Sequence, residues 1–240
     1  MTTLFVSDLH LDAKKPEIGN QFLDFLKEEA IKAKALYILG DLFEVWLGDD
    51  DPNPYYAHIK MALRKVTGSG IPIFFMHGNR DFMIGETFSK ETGVKILNDP
   101  TIINLNNQDV LLCHGDTLCT DDIEYQKMRK TTRNPEWQSK MLAKPLEERL
   151  AFAVEARENS KIHHNFIVSE LMDVNPDAVK KILRKYSANI LLHGHTHRPD
   201  IHKIKINGGD AMRIVLGDWF DQGSVVRWDK SGPKLETINR

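Results

Sequence analysis

Five short polar motifs stand out in this 240-residue chain, because each directly follows an apolar, strand-like run. They are Asp8-Leu9-His10, Gly40-Asp41, Gly78-Asn79-Arg80-Asp81, His114-Gly115-Asp116 and Gly194-His195-Thr196-His197. In α/β folds the loops at the carboxyl ends of strands converge on one edge of the sheet, where ligands bind. The glycines permit tight turns and let the backbone come close to a metal ion or a phosphate. The motifs therefore predict one polar site built from five loops.

The motifs offer carboxylate, imidazole and amide donors, a mixture that suits a borderline divalent ion such as manganese, iron or zinc. Two ions roughly 3.5–4 Å apart need a bridging carboxylate, and Asp41 is the candidate for it. The other predicted ligands form two sets: Asp8, His10 and His197 for one ion, and Asn79, His114 and His195 for the other. Because two such ions acidify a water molecule for in-line attack on phosphorus, the pattern predicts a phosphoester or pyrophosphate hydrolase.

Each motif also has an ordinary structural explanation. Asp-x-His and Gly-Asp pairs occur by chance in many chains, and Gly-His-x-His after an apolar strand is more specific. The joint occurrence of all five, in this order and at strand ends, is what makes coincidence implausible. Around them, Asp81 and Asp116 are predicted to orient metal-bound imidazoles, and His77 is predicted to have a structural role.

The first half of the chain alternates strand and helix patterns. Apolar runs at Leu4–Val6, Leu36–Leu39 and Ile71–Met76 indicate strands, each ending where a motif begins. Between them, Gln21–Ala33 and Tyr55–Val66 repeat apolar residues at helical spacing. This alternation favours a βαβ layer arrangement.

The second half has the signals of an antiparallel sheet. Hairpins are predicted around the turns at 106–109 and 207–210, and Gly223–Trp228 is a candidate last strand. Asn175-Pro176 is typical of a helix cap followed by the first helical residue. Residues from about 121 to 170 have few turn signals and apolar residues at helical spacing, so we expect a helical insertion in a single domain over 1–240.

The composition limits the class of protein. The formal net charge is −2, with 41% hydrophobic and 28% charged residues, which is ordinary for a globular domain and gives no indication of a nucleic-acid partner. The two cysteines, Cys113 and Cys119, are too few for a disulfide framework. We see no signal peptide, no membrane span and no sign of an obligate protein partner, and expect a soluble or peripherally attached protein.

The ordered motifs resemble the calcineurin-like metallophosphoesterase family over residues from about 3 to 220. The resemblance implies a four-layer α/β/β/α sandwich and the ligand roles given above. One position departs from the common pattern, because many members have a histidine after Gly-Asn that protonates the leaving alkoxide, where this chain has Arg80. Arginine is permanently charged and stabilises phosphate instead. We therefore expect a weakly basic leaving group, as in pyrophosphate cleavage.

Longer stretches look like the family members that act on a UDP-linked diacylated glucosamine lipid in lipid A biosynthesis. Gly-Asp-Leu-Phe-Glu-Val-Trp-Leu-Gly-Asp-Asp, Gly-Asn-Arg-Asp-Phe and the Leu-Gly-Asp-Trp segment at 216–219 carry this likeness. It implies Mn²⁺-dependent attack of water on the α-phosphate. Catalytic roles then fall to Asp41, Asn79, Arg80 and His195, and the candidate substrate contacts are Asn79, Arg80, Asp122, Ser160, His164 and His195. The chain departs from the pattern at His164 and Ile167, where those members have asparagine and lysine.

A substrate with two acyl chains needs an apolar slot, and the insertion could supply it. Candidate lining residues are Met128, Trp137, Met141, Leu142, Leu146, Leu150, Phe152 and Val154. Each could equally pack the helices onto the core. A basic cluster of Lys127, Arg129, Lys130 and Arg133 could be a solvated face, or could contact the anionic inner membrane from its cytoplasmic side.

Two other functions remain open at this point. A different two-metal nucleotide pyrophosphatase or phosphodiesterase would act on a soluble substrate and have no use for an acyl slot. A non-enzymatic scaffold of the same fold, as in the retromer subunit, would lack metal ligands, whereas all seven are present here.

Overall fold

The computed structural model describes residues 1–166 and 173–239, with the side chains of 159–166 left undescribed. Its strands are β1 (Thr3–Val6), β2 (Ala35–Ile38), β3 (Ile73–Met76), β4 (Lys95–Leu97), β5 (Thr101–Leu105), β6 (Gln108–Leu112), β7 (Ile190–His193), β8 (Asp200–Ile206), β9 (Gly209–Val215), β10 (Gly223–Asp229) and β11 (Gly232–Ile238). Its α-helices are α1 (Pro16–Glu28), α2 (Pro54–Gly68), α3 (Glu86–Thr92), α4 (Ile123–Thr132), α5 (Pro135–Leu142), α6 (Leu146–Phe166) and α7 (Pro176–Lys185).

The strands form two sheets. The first has the order β11-β10-β1-β2-β3-β4, and the second has the order β5-β6-β7-β9-β8. In the first sheet β1 to β4 run parallel, as expected for βαβ units. The second sheet is mixed: its two edge pairs are antiparallel, but β6–β7 and β7–β9 are parallel. The expected antiparallel second half is therefore wrong at the centre of this sheet, where the chain between β6 and β7 carries helices that allow a parallel return.

Alternating side chains bind the sheets into four layers. In β1, Leu4 and Val6 face the helices α1 to α3, whereas Phe5 faces the second sheet. The second sheet repeats this pattern, with Leu112 toward the first sheet and Leu111 toward α7. Apolar residues on both faces of central strands are typical of sheets covered on both sides. The predicted α/β/β/α sandwich is confirmed.

Local signals account for the turns and one helix start. The β5–β6 hairpin turns through Asn106 and Asn107, both at positive φ, and the β8–β9 hairpin through Asn207 and Gly208. Such two-residue turns match the twist of the flanking strands. Asn175 caps α7, because its side-chain oxygen accepts hydrogen bonds from the backbone N–H groups of Asp177 and Ala178 in the first turn of the helix.

The five predicted motifs follow the strands β1, β2, β3, β6 and β7. Within each sheet these strands are parallel, so their carboxyl ends lie on the same side. The sandwich thus brings the five loops to one edge. Helices α4, α5 and most of the predicted insertion lie between β6 and β7, and 167–172 lie outside the described residues.

Candidate metal centre and active site

Tight turns present the donors at the strand ends. Asp8, His10, Asp41, His195 and His197 all have φ between 50° and 70°, the left-handed region. Two glycines allow the loops to approach one another: a Cβ on Gly78 would lie 2.1 Å from Asp41 Oδ1, and one on Gly194 would lie 2.2 Å from Asp8 Oδ2. Any side chain at these two positions would displace a donor.

One donor cluster consists of Asp8, His10 and His197. The Nε2 atoms of His10 and His197 are 3.3 Å apart, and His197 Nε2 lies 3.4 Å from Asp8 Oδ1. Asp8 is fully buried, and its Oδ2 accepts hydrogen bonds from the Ser7 hydroxyl and the His195 backbone N–H. Among the described residues its Oδ1 has no hydrogen-bond partner, because the approach of His197 Nε2 does not have hydrogen-bond geometry. A buried carboxylate oxygen without a partner is costly unless a cation binds it.

The second cluster consists of Asp41, His114 and His195, joined by the amide of Asn79. Asn79 Oδ1 lies 3.0 Å from His114 Nε2 and 2.9 Å from His195 Nδ1. Asp41 Oδ2 lies between the clusters, 3.8 Å from His114 Nε2 and 3.9 Å from His10 Nε2. The structure therefore brings all seven predicted ligands together, with Asp41 between the two clusters. The donor types and the unpartnered Asp8 oxygen fit a pair of divalent cations.

Residues around the donors fix the imidazole rings. The Nδ1 atom of His114 is 2.8 Å from the Leu39 carbonyl oxygen, and that of His10 is 2.8 Å from Glu44 Oε2. His197 Nδ1 lies 3.3 Å from Asp218 Oδ2. Metal-binding histidines commonly donate their other N–H to such oxygens, which sets the tautomer. Sequence reasoning did not assign roles to Glu44 and Asp218, although both lie in stretches that carried the resemblance.

The expected roles of Asp81 and Asp116 are wrong. The Asp81 carboxylate accepts hydrogen bonds from the backbone N–H groups of Leu42 and Gly78, so it holds two ligand loops together rather than orienting an imidazole of the four ligand histidines. Asp116 accepts from the Tyr125 hydroxyl and from Arg129 Nε of α4, both at 2.7 Å. His77 has the structural role that was predicted, with Nε2 at 2.7 Å from the Ile84 carbonyl oxygen.

Burial and neighbouring charges set the protonation of the cluster. Burial and the nearby charge of His114 lower the pKa of His195 to about 4, so its imidazole is neutral at pH 7. Burial would also lower the pKa of His197, but the carboxylates of Asp218 and Asp8, 3.3 Å and 3.4 Å away, raise it to about 10. In Asp8, burial is outweighed by His197 and the other histidines, which hold the pKa well below its usual range. His197 must therefore lose a proton when it binds a cation.

Two cavities meet at the donors. The polar cleft is the cavity that contains His10, Asp41, His195, His197 and Phe220. The apolar slot is the cavity between the insertion and the core, with walls that include Trp46, Leu47, Phe82, Met83, Met128 and Phe152. Glu44, Asn79, Arg80 and Tyr125 line both. A ligand with one charged half and one apolar half could occupy the two cavities at once.

The lining of the apolar slot corrects part of the sequence-based prediction. Of the residues proposed for it, Met128 and Phe152 line it, and Trp137 packs against Phe152 with ring centroids 5.3 Å apart. Leu142, Leu150 and Val154 instead lie on the exposed side of the insertion. Eight of its eighteen lining residues come from the loops after β2 and β3. Periodicity along one segment cannot reveal them, because those residues meet the insertion only in the fold.

The predicted basic cluster does not form a single surface. Lys127 and Lys130 are exposed, but Arg129 and Arg133 turn inward and line the apolar slot. Arg133 donates to the Gly78 carbonyl oxygen at 2.8 Å, directly before the ligand Asn79. The buried carboxylate of Asp116 is what attracts the two arginines, at 2.7 Å and 3.8 Å.

The remaining candidate substrate contacts are placed as follows. Arg80 donates its backbone N–H to Asp41 Oδ1 at 2.8 Å, and its side chain lines both cavities with an Nε atom that has no hydrogen-bond partner. Asp122 caps α4 and also lines the polar cleft. The side chains of Ser160 and His164, and all of Ile167, lie outside the described residues.

A layered sandwich of two sheets that collects paired carboxylate–imidazole clusters at its strand ends is the architecture of a metallophosphoesterase, and this places the protein in that class. The chain belongs to the calcineurin-like phosphoesterase family, whose model matches residues 1–199. A solved archaeal phosphodiesterase has the same fold, with a TM-score of 0.51 at 12% identity and with 99% of each chain covered.

Curated relatives are much closer in sequence. The chain is 48% identical to a UDP-2,3-diacylglucosamine hydrolase of Stenotrophomonas maltophilia, over the full length of both proteins. It is 49% identical to a protein of the same name from Xanthomonas oryzae pv. oryzae, with 98% of each chain covered. The resemblance seen in the motifs is confirmed. Among the described residues, no helix combines the length and apolar character needed to cross a membrane.

Proposed function

We propose that this chain hydrolyses the pyrophosphate bond of UDP-2,3-diacylglucosamine in lipid A biosynthesis. Water attacks the α-phosphorus, the bond from that phosphorus to the bridging oxygen breaks, and UMP and 2,3-diacylglucosamine 1-phosphate are released. The observation that carries the proposal is that the polar cleft, which contains the metal-type donors, joins the apolar slot. The charged diphosphate of this substrate suits the cleft, and its acyl chains suit the slot. The name and full-length similarity of the relatives support it.

The proposed cofactor is a pair of Mn²⁺ ions. Asp8, His10 and His197 would hold one ion, Asn79, His114 and His195 the other, and Asp41 would contact both. Bound there, the ions would supply Lewis-acid polarisation of phosphoryl oxygens and acidification of water. The neutral imidazole of His195 supports its role as a ligand, because only a deprotonated nitrogen can bind a cation.

Arg80 is the proposed partner of the phosphates. Its position at the junction of both cavities allows the guanidinium to offset charge on either phosphate. The leaving sugar 1-phosphate is a weak base, so the absence of a protonating histidine at this position is consistent with the reaction. Asn79, Asp122, Ser160, His164 and His195 are the other proposed substrate contacts.

We further propose a single domain over 1–240 that attaches peripherally to the cytoplasmic face of the inner membrane through the insertion about 121–170. Ile123, Leu142, Leu150 and Val154 expose between 39% and 63% of their surface there. They lie on the three helices α4, α5 and α6 of the insertion, and exposed apolar side chains concentrated in one region support an interaction surface there. Sedimentation with liposomes of anionic lipid is the measurement for this part of the proposal.

The main test supplies the purified chain with Mn²⁺ and detergent-dispersed UDP-2,3-diacylglucosamine in ¹⁸O-labelled water. We expect UMP as product, with the ¹⁸O label in UMP because water attacks the α-phosphorus. Asp41→Ala should lower kcat/KM by a factor of at least about 10³, since several kcal/mol of charge stabilisation are lost. Chelation of the metal should have the same effect.

Three other outcomes would contradict the proposed reaction. Cleavage of a soluble nucleotide pyrophosphate but not of the lipid substrate would identify a soluble pyrophosphatase. Full activity of Asp41→Ala would contradict a two-metal reaction. Label in the sugar phosphate would place the attack on the other phosphorus.

A further inference from the structure

A chain of two contacts joins helix α6 of the insertion to a proposed metal ligand. His10 lies with Nε2 toward His197 and Asp41, so Nε2 is the atom available to a cation. That orientation turns Nδ1 toward the Glu44 carboxylate, whose Oε2 lies 2.8 Å away. The other oxygen of the same carboxylate, Glu44 Oε1, accepts a hydrogen bond from Arg157 Nη2 of α6.

The carboxylate of Glu44 is held at both ends. Its side chain is only 12% exposed, so solvent does not compete strongly for either oxygen. Hydrogen bonds between ionised groups are stronger than neutral ones, and the bond from Arg157 to Glu44 is of this kind. Without Arg157, one oxygen of Glu44 would be free and the carboxylate could rotate away from the His10 ring.

We propose that Glu44 is a positioning residue for His10 and that Arg157 holds Glu44 in place, so that the insertion sets the metal affinity of the subsite formed by Asp8, His10 and His197. The inference rests on the proposed metal centre. It assigns the insertion a second role besides lining the apolar slot, because Arg157 of α6 then influences cation binding through Glu44 and His10. Oxygens that orient a ligating imidazole typically contribute 10- to 100-fold in metal affinity.

The test is a titration of the full chain with Mn²⁺, in which the electron paramagnetic resonance signal of the free ion reports how much has bound. This measurement needs no substrate. We expect Glu44→Gln and Arg157→Gln each to raise the Kd of one of the two ions by a factor of about 10 or more. Arg157→Lys, which keeps a charged donor, should recover part of the affinity. If Arg157 acts through Glu44, the double variant should be no weaker than Glu44→Gln alone.

Asp50→Asn is the matched control. Asp50 is 59% exposed and pairs with Arg149, another arginine of α6, so this change loosens the insertion on the core without touching a ligand or its partner. We expect its Mn²⁺ affinities to equal those of the unaltered chain, and near-ultraviolet circular dichroism shows whether each variant is folded.

Three results would overturn the inference. One is a folded Arg157→Gln variant that binds both ions as tightly as the unaltered chain. Another is an additive loss in the double variant, and a third is an equal loss in Asp50→Asn, which would indicate general loosening. An unaltered chain that binds no Mn²⁺ would instead remove the proposed metal centre, and the inference with it.

Discussion

At the scale of single residues, the donors are held in backbone conformations that residues other than glycine rarely adopt. The backbone is in the left-handed region at five of them, namely Asp8, His10, Asp41, His195 and His197. Each such conformation costs about 1 kcal/mol. The surrounding sandwich must stabilise this geometry. Its consequence is that each side chain leaves its strand through a sharp turn and points along the sheet edge toward the other donors. The strained backbone lowers the stability of the fold but places the donor side chains close together.

Asp99 is a mostly buried acid near the site whose carboxylate is not stabilised by hydrogen bonds. Its side chain is 10% exposed, and among the described residues neither oxygen has a hydrogen-bond partner. The guanidinium of Arg129 lies 3.8 Å away. Burial and the charge of Asp116 raise its pKa to about 6, above the ordinary 3.8. Because the folded pKa is the higher one, ionisation destabilises the fold progressively between these two values, and the full cost is present above pH 6.

We therefore predict that Asp99→Asn stabilises the protein at pH 7.5, raising the free energy of unfolding by about 2 kcal/mol. The gain should shrink as the pH falls from about 6 toward 4 and disappear near about pH 3, where the Asp99 carboxyl is protonated in both states. Urea unfolding at several pH values measures it. A gain that is the same at pH 4 and pH 7.5 would show that ionisation of Asp99 is not its cause.

The ligands could be predicted at this scale, whereas their supports could not. Asp8, His10, His195 and His197 lie in short motifs after apolar runs, so chain order alone brings them into view. Glu44 and Asp218 are far along the chain from the imidazoles they contact. Their roles follow from how the loops pack, which a pattern along one segment does not contain.

At the scale of elements, helix α4 is clamped to the metal-binding edge by one buried carboxylate. Asp116 is fully buried and receives Tyr125 and Arg129 from α4. Arg133, at the end of the same helix, donates to the backbone in front of Asn79. Helix α4 therefore contacts the loop that carries Asn79 through Arg133, and the loop that carries His114 through Asp116. These contacts explain why charged residues of α4 face inward.

We predict that Asp116→Asn lowers the free energy of unfolding at pH 7 by about 2–3 kcal/mol, because Arg129 loses its charged partner in a buried setting. Burial opposes ionisation of Asp116, but His114 and the arginines outweigh it and hold its pKa well below 3.8. A lowered pKa contributes stability above the unfolded value, so the difference should diminish as the pH falls below about 4.

Glu124→Gln is the control for this measurement, since it removes an exposed pair with Lys127 on the same helix. We expect a change of less than about 1 kcal/mol. Equal urea midpoints for Asp116→Asn and the unaltered chain at pH 7 would mean that the buried pair contributes nothing net to stability.

Elements with a clear apolar pattern were predictable from sequence, and elements without one were missed. Helices α1 and α2 have clear apolar faces, and the predicted strands β1, β2 and β3 are confirmed within a few residues. Helix α3 has seven residues and β4 has three, too few for a period to be visible. Strand β11 pairs with β10 at the sheet edge and alternates weakly because much of it is exposed.

At the scale of the whole molecule, the apolar slot and the polar cleft belong to different parts of the chain. The sandwich supplies the donors, and the insertion closes the slot over the loops after β2 and β3. The proposed function needs both, but the chemistry at phosphorus needs only the cleft. A change confined to the slot should therefore separate recognition of acyl chains from hydrolysis.

Phe152→Glu makes that change, because Phe152 lines the apolar slot and contacts Trp137. A carboxylate there must be desolvated when an acyl chain enters, at a cost of about 3 kcal/mol or more. We predict that kcat/KM for detergent-dispersed UDP-2,3-diacylglucosamine falls about 100-fold, while turnover of a soluble aryl phosphodiester stays within about twofold of normal. Val154→Glu, two residues along α6 on its exposed side, should change neither rate in detergent. An equal loss on both substrates would mean that the slot supports the metal centre rather than the lipid.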